Sequence, residues 1–372
     1  MKKNATTDQL NLFCDIITHI LEIKSPHTAC HIHNVPILAQ MISEAVHKER
    51  KGSLKNIKFT AEDFYKIKVA AQLHDTGKTT TPDYLLEKST KLEFLRNRIH
   101  EIRNRFEIMR RDAEIIYLKK IIESPKTQKN AEKEYKQTIK ELEQDFEFIA
   151  RCNIGDTTVK ENDIKRLKNI SKKKYKCYFN RLLGLSWHEQ QLPSETLKKL
   201  SRPRYETLLQ DSIEDSYKDI PTGEVYNLST EKGTINPEER KKIEQHVSET
   251  REILKFLQLP EEYQCIINYA AEHHERVNGD GYPLGLKDKD LSIPSKILML
   301  ADVFEALTST DRPYKAPKKI SEALRILQTM KNKQMLDSEI YEIFIKQQIF
   351  MQYAKKYLKP EQIDIIDIND YI

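Results

Sequence analysis

The stretch AEDFYKIKVAAQLHDTGK, residues 61–78, has the pattern of an amphipathic helix that ends in two polar residues. Its apolar positions are Phe64, Ile67, Val69, Ala70 and Leu73. Because most of these positions recur at helical spacing, they predict a helix with a buried face. His74 and Asp75 follow at the end of this helix, and Gly77 then interrupts it. The helix therefore delivers an imidazole and a carboxylate together at one point of the fold.

The composition favours a mostly helical protein. Only nine glycines occur in 372 residues, and 38% of the residues are hydrophobic. This length suits two or three domains, or one domain with a large insertion. The net charge of +5 assists the approach of an anionic ligand. It does not form the dense basic stripe of a duplex-binding protein, so we expect no DNA partner.

The sequence predicts a cytoplasmic protein. No apolar run reaches the roughly 20 residues that a membrane-spanning helix needs, and the start lacks a signal-peptide pattern. The chain has five cysteines, and none of them forms a CxxC motif. Scattered cysteines in odd number indicate ordinary thiols in a reducing compartment.

A heptad pattern begins after residue 91. Its first run comprises Leu92, Leu95, Ile99, Ile102, Phe106, Met109, Ala113 and Ile116. A second run comprises Tyr135, Ile139, Leu142, Phe146 and Ile149. Two such helices around a short polar break predict an antiparallel hairpin. This hairpin serves either as a dimerisation or coupling arm, or only as packing within its own domain.

Further histidines and one more acid lie in predicted helices elsewhere in the chain. They are His31, His246, His273, His274 and Asp302. A set of imidazoles and carboxylates without cysteine suits Fe, Mn, Zn or a similar divalent ion. Neighbouring helix positions differ by about 100°, so His74 and Asp75 can face two ions that share the Asp75 carboxylate.

The motifs LHDTGK, HVSETREIL, HHERVNGDGYP and ADVFEALTSTDRPYK occur in this order, and together they resemble the HD-GYP branch of the HD phosphohydrolases. The resemblance covers residues 25–90 and 235–345, and the long helical insertion resembles that of a subgroup. It implies a metal-dependent phosphodiesterase that opens a cyclic dinucleotide, with cyclic di-GMP as the expected substrate. There are two alternatives. One is hydrolysis of cyclic GMP–AMP, and the other is sensing of a cyclic dinucleotide with weak turnover or none.

The resemblance also assigns residues to roles. The implied metal ligands are His31, His74, Asp75, His246, His273, His274 and Asp302, and they would hold two Fe or Mn ions. The implied catalytic residues are His74, Asp75 and Lys78, and the implied substrate contacts are Lys78, Tyr282, Arg312 and Lys315. Gly279 and Gly281 let the chain turn after the ligand helix, which brings Tyr282 beside the metals.

Three positions depart from the family pattern. His27 stands where members with three metals have a glutamate. A histidine is still able to bind a metal there, so His27 is an additional metal position, but the loss of the carboxylate favours two ions over three. Asn34 replaces an arginine, and Asn278 replaces an acid.

These observations predict an all-α fold. Residues 1–90 and 237–372 form an HD-type helical bundle of the HD-GYP kind, residues 91–150 an inserted antiparallel hairpin, and residues 151–236 a further, mostly helical region. A second copy of the chain and a diguanylate cyclase of the GGDEF type are the expected protein partners.

Overall fold

The structure is a computed structural model. It describes residues 2–25, 29–180, 182–187, 189–191, 194, 204–209, 216–217, 220–309 and 317–372. These residues divide into two compact units, which comprise residues 1–87 with 241–372 and residues 88–240.

Helices dominate both units. In chain order the helices and strands are α1 Lys2–Lys24, α2 Ala29–Lys48, α3 Ala61–Leu73, α4 Asp83–Leu86, α5 Ile99–Glu123, α6 Gln128–Ile154, α7 Glu161–Ser171, β1 Lys174–Cys177, β2 Arg204–Thr207, β3 Ser216–Tyr217, β4 Ile220–Pro221, α8 Glu224–Leu228, α9 Pro237–Lys255, α10 Cys265–Ala271, α11 Ile293–Thr308, α12 Ile320–Asn332, α13 Ser338–Lys346 and α14 Ile349–Tyr357. The prediction of an all-α fold is confirmed. No helix in these described ranges is both long and apolar enough to cross a bilayer.

Helix α2 lies at the centre of the first unit, where it packs against α3 and α11. The core side chains that these helices bury completely include Val35, Leu38, Ile42, Ile67, Leu73 and Phe304. Because α2 is covered on several sides, the polar residues of its buried faces are held in fixed positions. His31 is one of them.

Helix α3 has a defined start and a defined end. Thr60 and Asp63 form a reciprocal capping box, in which each side chain accepts a hydrogen bond from the backbone of the other residue. The helix ends at Leu73, and a short 3₁₀ helix follows at Thr76–Thr79. These two ends fix the point at which His74 and Asp75 leave the helix.

Thr250 of α9 connects that helix to the turn that follows α3. Its hydroxyl accepts a hydrogen bond from the Gly77 backbone N–H at 2.8 Å and donates one to the His74 carbonyl at 3.0 Å. Thr250 is completely buried. One side chain therefore satisfies two backbone groups of the His74–Gly77 turn that water cannot reach.

In the second unit, α5 and α6 form the expected antiparallel hairpin. Lys120 pairs with Glu134 near the tip, and Arg110 pairs with Glu143 further down. The Tyr117 and Tyr135 rings stack between them, with their centroids 5.0 Å apart. The prediction of a helical hairpin is confirmed.

The first helix of the hairpin begins later than the heptad pattern suggested. The pattern starts at Leu92, whereas α5 starts at Ile99. The reason is that Asn153 binds the backbone of the residues that precede α5. The Asn153 carbonyl accepts a hydrogen bond from Lys91 N at 2.9 Å, and its side-chain oxygen accepts one from Leu92 N at 2.8 Å. Leu92 is buried in this turn, whereas Leu95 is exposed.

The second unit also contains short strands that the sequence analysis did not anticipate. Strands β1 and β2 pair antiparallel, as do β3 and β4. Alternation over four residues or fewer is too short for the sequence pattern to distinguish a strand from a turn.

We expect Thr250→Val to destabilise the protein strongly. Valine keeps the shape of the side chain but leaves the Gly77 N–H and the His74 carbonyl without partners, at a cost of about 1–3 kcal/mol for each group. The measurement is urea unfolding of the metal-free chain, followed by circular dichroism.

Thr250→Ser is the matched control, since it keeps the hydroxyl and removes only a methyl group, which costs about 1 kcal/mol. Equal stability of the two variants would show that these hydrogen bonds do not hold the turn.

Candidate metal centre

Seven histidine and aspartate side chains from different parts of the first unit converge on one point. Helix α2 supplies His31, the end of α3 supplies His74 and Asp75, and α9 supplies His246. His273 and His274 follow α10, and Asp302 lies within α11. All of these side chains are buried except His274, which is partly exposed. The structure therefore brings together all seven residues of the predicted ligand set.

Three of the imidazoles are oriented in the same way. Each uses Nδ1 to donate a hydrogen bond to a backbone carbonyl three residues earlier. The pairs are His74 with Ala71 at 2.7 Å, His246 with Ile243 at 2.6 Å, and His273 with Ala270 at 2.6 Å. This arrangement assigns the proton to Nδ1 and leaves the Nε2 lone pair free to coordinate an ion.

His31 is held by a carboxylate instead. Its Nδ1 lies 2.5 Å from Glu305 Oε2, and Asn34 donates to the other Glu305 oxygen at 3.2 Å. Its Nε2 consequently points toward the cluster, 3.3 Å from His74 Nε2 and 3.2 Å from Asp302 Oδ1. The asparagine that departs from the family pattern thus supports the carboxylate that orients His31.

The two oxygens of Asp75 face two different groups of imidazoles. Oδ2 lies 3.3 Å from His74 Nε2 and 3.6 Å from His31 Nε2. Oδ1 lies 3.4 Å from His246 Nε2. A carboxylate in this position is able to serve ligand sets on both of its sides.

The donor atoms fit divalent metal ions. Among the described residues, three sets have their ligand atoms within 4.8 Å of one another, namely His31 with His74 and Asp302, His74 with Asp75 and His273, and His246 with His273 and His274. In addition, the buried Nε2 atoms of His246 and His273 have no hydrogen-bond partner. Buried polar atoms are seldom left unsatisfied, so these two nitrogens indicate a ligand that is not a protein group.

The electrostatics of the cluster keep three imidazoles neutral. Burial lowers the pKa of His246 to about 4 and that of His274 to about 3, and it holds the pKa of His273 well below its ordinary value. Neutral imidazole is the form that binds metals. Burial would raise the pKa of Asp75, but His74 and Lys78 outweigh it, so that the Asp75 pKa stays well below its usual range.

His31 differs from the other histidines. Burial would lower its pKa, but hydrogen bonds to Asp302 and Glu305 raise it to about 10. The metal-free imidazole is therefore protonated at neutral pH. An ion that binds His31 must displace this proton, so binding at this position weakens as the pH falls.

Lys78 supplies a positive charge beside the shared carboxylate. Its Nζ lies 2.6 Å from Asp75 Oδ2. The lysine side chain is 20% exposed to solvent, whereas the aspartate side chain is only 3% exposed. The ammonium group is thus placed between the buried cluster and the solvent, where an anion would approach.

The chain turns back sharply after His274, and this turn places Tyr282 next to the cluster. A Cβ atom at Gly281 would lie 2.4 Å from Arg276 N, so only glycine fits there. The Tyr282 ring stacks on the His274 imidazole, with a centroid distance of 4.9 Å and an interplanar angle of 27°. The Glu275 carboxylate fixes the following loop by accepting hydrogen bonds from the backbone of Leu284 and Leu286.

Three residues named in the sequence analysis lie outside the described residues: the additional metal position His27 and the substrate contacts Arg312 and Lys315.

The sequence analysis missed the residues that hold the cluster in position. Glu305 lies three residues after Asp302, hence on the same face of α11, and it is almost completely buried. A second acid at helical spacing in an apolar helix was the available signal. Thr250 offered no comparable signal, because its two backbone partners are distant in the sequence.

Comparisons with known proteins agree with this geometry. Residues 219–340 match the family model of an HD domain. Over 114 residues the chain is 32% identical to the 3′3′-cGAMP-specific phosphodiesterase 1 of Vibrio cholerae, which covers 31% of this chain and 26% of the relative. Over a stretch of the same length it is 38% identical to the cyclic di-GMP phosphodiesterase of Thermotoga maritima, which covers 31% of this chain and 30% of the relative.

A longer match of 170 residues links the chain to a probable cyclic di-GMP phosphodiesterase of Vibrio cholerae, with 29% identity over 42% of this chain and 38% of the relative. The chain thus spans between 26% and 38% of the length of these three curated relatives. The HD domain match and the named relatives support the resemblance to the HD-GYP family of HD domain proteins that the order of the motifs indicates.

Proposed function

We propose that the protein hydrolyses a phosphodiester bond of cyclic di-GMP, giving the linear dinucleotide, GMP or both. The observation that carries this proposal is the position of Asp75 between two groups of imidazoles, with the Lys78 ammonium 2.6 Å from one of its oxygens. Two ligand sets that share one carboxylate are typical of centres that cleave phosphate esters.

We propose two divalent ions as the cofactor, with Fe or Mn as the metal. His31, His74 and Asp302 would hold one ion, and His246, His273 and His274 the other, with Asp75 between them. When bound, such a pair acidifies water and draws electron density from phosphoryl oxygens. The mixed set of imidazole and carboxylate ligands suits Fe and Mn. A third ion would need His27.

The side chains of this protein would position the substrate. The Lys78 ammonium lies where it can stabilise negative charge on the phosphoryl oxygens during attack. The Tyr282 ring offers an aromatic surface to a base or a ribose. We propose Arg312 and Lys315 as further phosphate contacts, since a guanidinium binds phosphate through two parallel hydrogen bonds and an ammonium supplies a point charge.

A second candidate is hydrolysis of the mixed cyclic GMP–AMP dinucleotide, which the names of three similar proteins favour. The two substrates differ in one base, so the walls of the base pocket would select between them. A sensor that binds without turnover is the remaining alternative, and the full ligand set together with Lys78 argues against it.

The inserted unit is the segment that we propose for contacts with other proteins, either a second copy of the chain or a GGDEF-type diguanylate cyclase. We also infer a cytoplasmic location, because all five cysteines are free thiols and reducing compartments keep them in this form.

Purification without oxygen, followed by metal analysis and product analysis, tests the proposed function directly. We expect about two ions per chain, and faster turnover of cyclic di-GMP than of cyclic GMP–AMP. The reverse preference would favour the second candidate. A metal-loaded chain that binds either dinucleotide but cleaves neither would contradict the enzymatic proposal.

His31→Gln should lower metal content and reduce turnover by about 100-fold or more, because it removes one ligand of the first ion. The measurements are metal content per chain and kcat. His33→Gln is the matched control: His33 lies on the same helix, but its side chain is 59% exposed and contacts Glu22 instead. We expect this control to retain both metal and turnover.

Lys78→Met should reduce kcat by about 100-fold to 1000-fold, because the positive charge that stabilises the transition state is lost. Metal content should stay the same, since Lys78 is not a proposed ligand. Lys78→Arg keeps the charge and should recover part of the rate. If Lys78→Met lost its metal, or if its kcat were unchanged, the proposed role of Lys78 would be wrong.

A further inference from the structure

The outer face of α5 carries a row of large apolar side chains that no other described part of the chain covers. The exposed fractions are 37% for Ile108, 48% for Ile115, 48% for Leu118 and 79% for Ile122. The row extends over 15 residues, or about 22 Å of helix. Exposed apolar side chains are unremarkable singly, but a contiguous row of them indicates a binding surface.

This row lies opposite to the side of α5 that packs on α6. The inner side buries Ile102 and Phe106, and the inner ring of Tyr117 stacks on Tyr135 of α6. Because each residue turns the helix by about 100°, Ile115 points away from these inner positions. The hairpin therefore has an apolar seam on the inside and a second apolar row on the outside.

The spacing of the outer row suits another helix. Ile108, Ile115 and Ile122 are seven residues apart, and Leu118 takes the intermediate heptad position. This is the spacing at which apolar side chains meet a partner helix. Arg111, at the other intermediate position, is drawn back along the helix, where it donates to the Glu107 carbonyl at 3.2 Å.

The charges beside the row distinguish between possible partners. Asp112 and Lys119 occupy the same flanking position in successive heptads, and neither forms an ion pair with a described residue. If two copies of α5 pair antiparallel about a twofold axis between residues 115 and 116, Asp112 of each copy lies opposite Lys119 of the other. A parallel pair would instead set Asp112 beside Glu107 and Lys119 beside Glu114 of the second copy, so that repulsion and attraction would offset each other.

We propose that this outer face, consisting of Ile108, Ile115, Leu118 and Ile122, binds the same face of a second copy of the chain. The two α5 helices run antiparallel, with Ile115 of both copies close to the twofold axis and Ile108 of each copy within one residue of the level of Ile122 of the other. Two Asp112–Lys119 ion pairs flank the apolar contact. The surface is self-complementary, as a twofold interface requires. This inference does not depend on the proposed catalytic activity.

The first test is the mass of the full-length chain in solution, measured by light scattering or sedimentation from micromolar to hundreds of micromolar. We expect twice the chain mass of 43.8 kDa. Ile115→Glu combined with Leu118→Glu should give the mass of a single chain. Leu95→Glu, at an exposed leucine of the same unit outside the hairpin, should remain a dimer.

A reversal of charges tests the register and does not depend on apolar residues. Asp112→Lys should raise the dissociation constant of the dimer roughly tenfold, because it sets lysine against lysine at two places. Adding Lys119→Asp restores opposite charges in the antiparallel pair and should recover the affinity. Circular dichroism verifies that each variant is folded.

Three results would overturn the proposal. They are a wild-type chain that has the mass of one copy at all concentrations, a dimer that the double glutamate variant leaves intact, and a charge-reversed double variant that stays as weak as Asp112→Lys. The first result would mean that a different molecule covers the outer face of α5.

Discussion

The arrangement of the first unit depends on a single buried carboxylate, that of Asp75. A carboxylate removed from water is stable only if positive charge or hydrogen-bond donors surround it. The Lys78 ammonium supplies this charge in the metal-free chain, and the imidazoles of His74 and His246 face the two carboxylate oxygens with nitrogens that are able to hold ions. His246 lies 171 positions after Asp75 in the sequence. The helices that carry them must therefore meet, and this meeting brings the two groups of imidazoles to opposite sides of one carboxylate. The packing of helices around Asp75 therefore also sets the geometry of the centre.

The shell around the cluster shows how its side chains are held in place. Backbone carbonyls orient His74, His246 and His273, a carboxylate orients His31, and Thr250 joins the His74–Gly77 turn to α9. Each of these contacts fixes a ring nitrogen or a turn, and none of them uses the nitrogens that face the centre. This arrangement destabilises the metal-free chain, because it buries nitrogens without hydrogen-bond partners and neutral histidines whose pKa values are lowered. Bound ions would offset that cost, so metal binding should also stabilise the fold.

The inserted unit has its own hydrophobic core, built where the hairpin base meets α7 and α8. Its α5 helix has apolar residues on two sides, and only one of these sides is used for packing within the hairpin. If α5 packed only within its own unit, isoleucines in the outer row would add nothing to the stability of that unit. The first unit contains the complete candidate centre, and the hairpin is free to carry a separate contact.

The sequence by itself determined the all-α class, the hairpin and the identity of the seven polar residues that converge. It could do so because helical periodicity, glycine breaks and adjacent ligand pairs such as His273–His274 are local patterns. The tertiary structure alone decided that Glu305 orients His31, that Thr250 serves two backbone groups and that Asn153 delays the start of α5. It also decided that the described residues leave one apolar face of α5 uncovered. Each of these depends on atoms that are far apart in the chain, and the residue types involved are common ones. A local pattern records which side chains a helix can present, whereas their hydrogen-bond partners are fixed only when the helices pack.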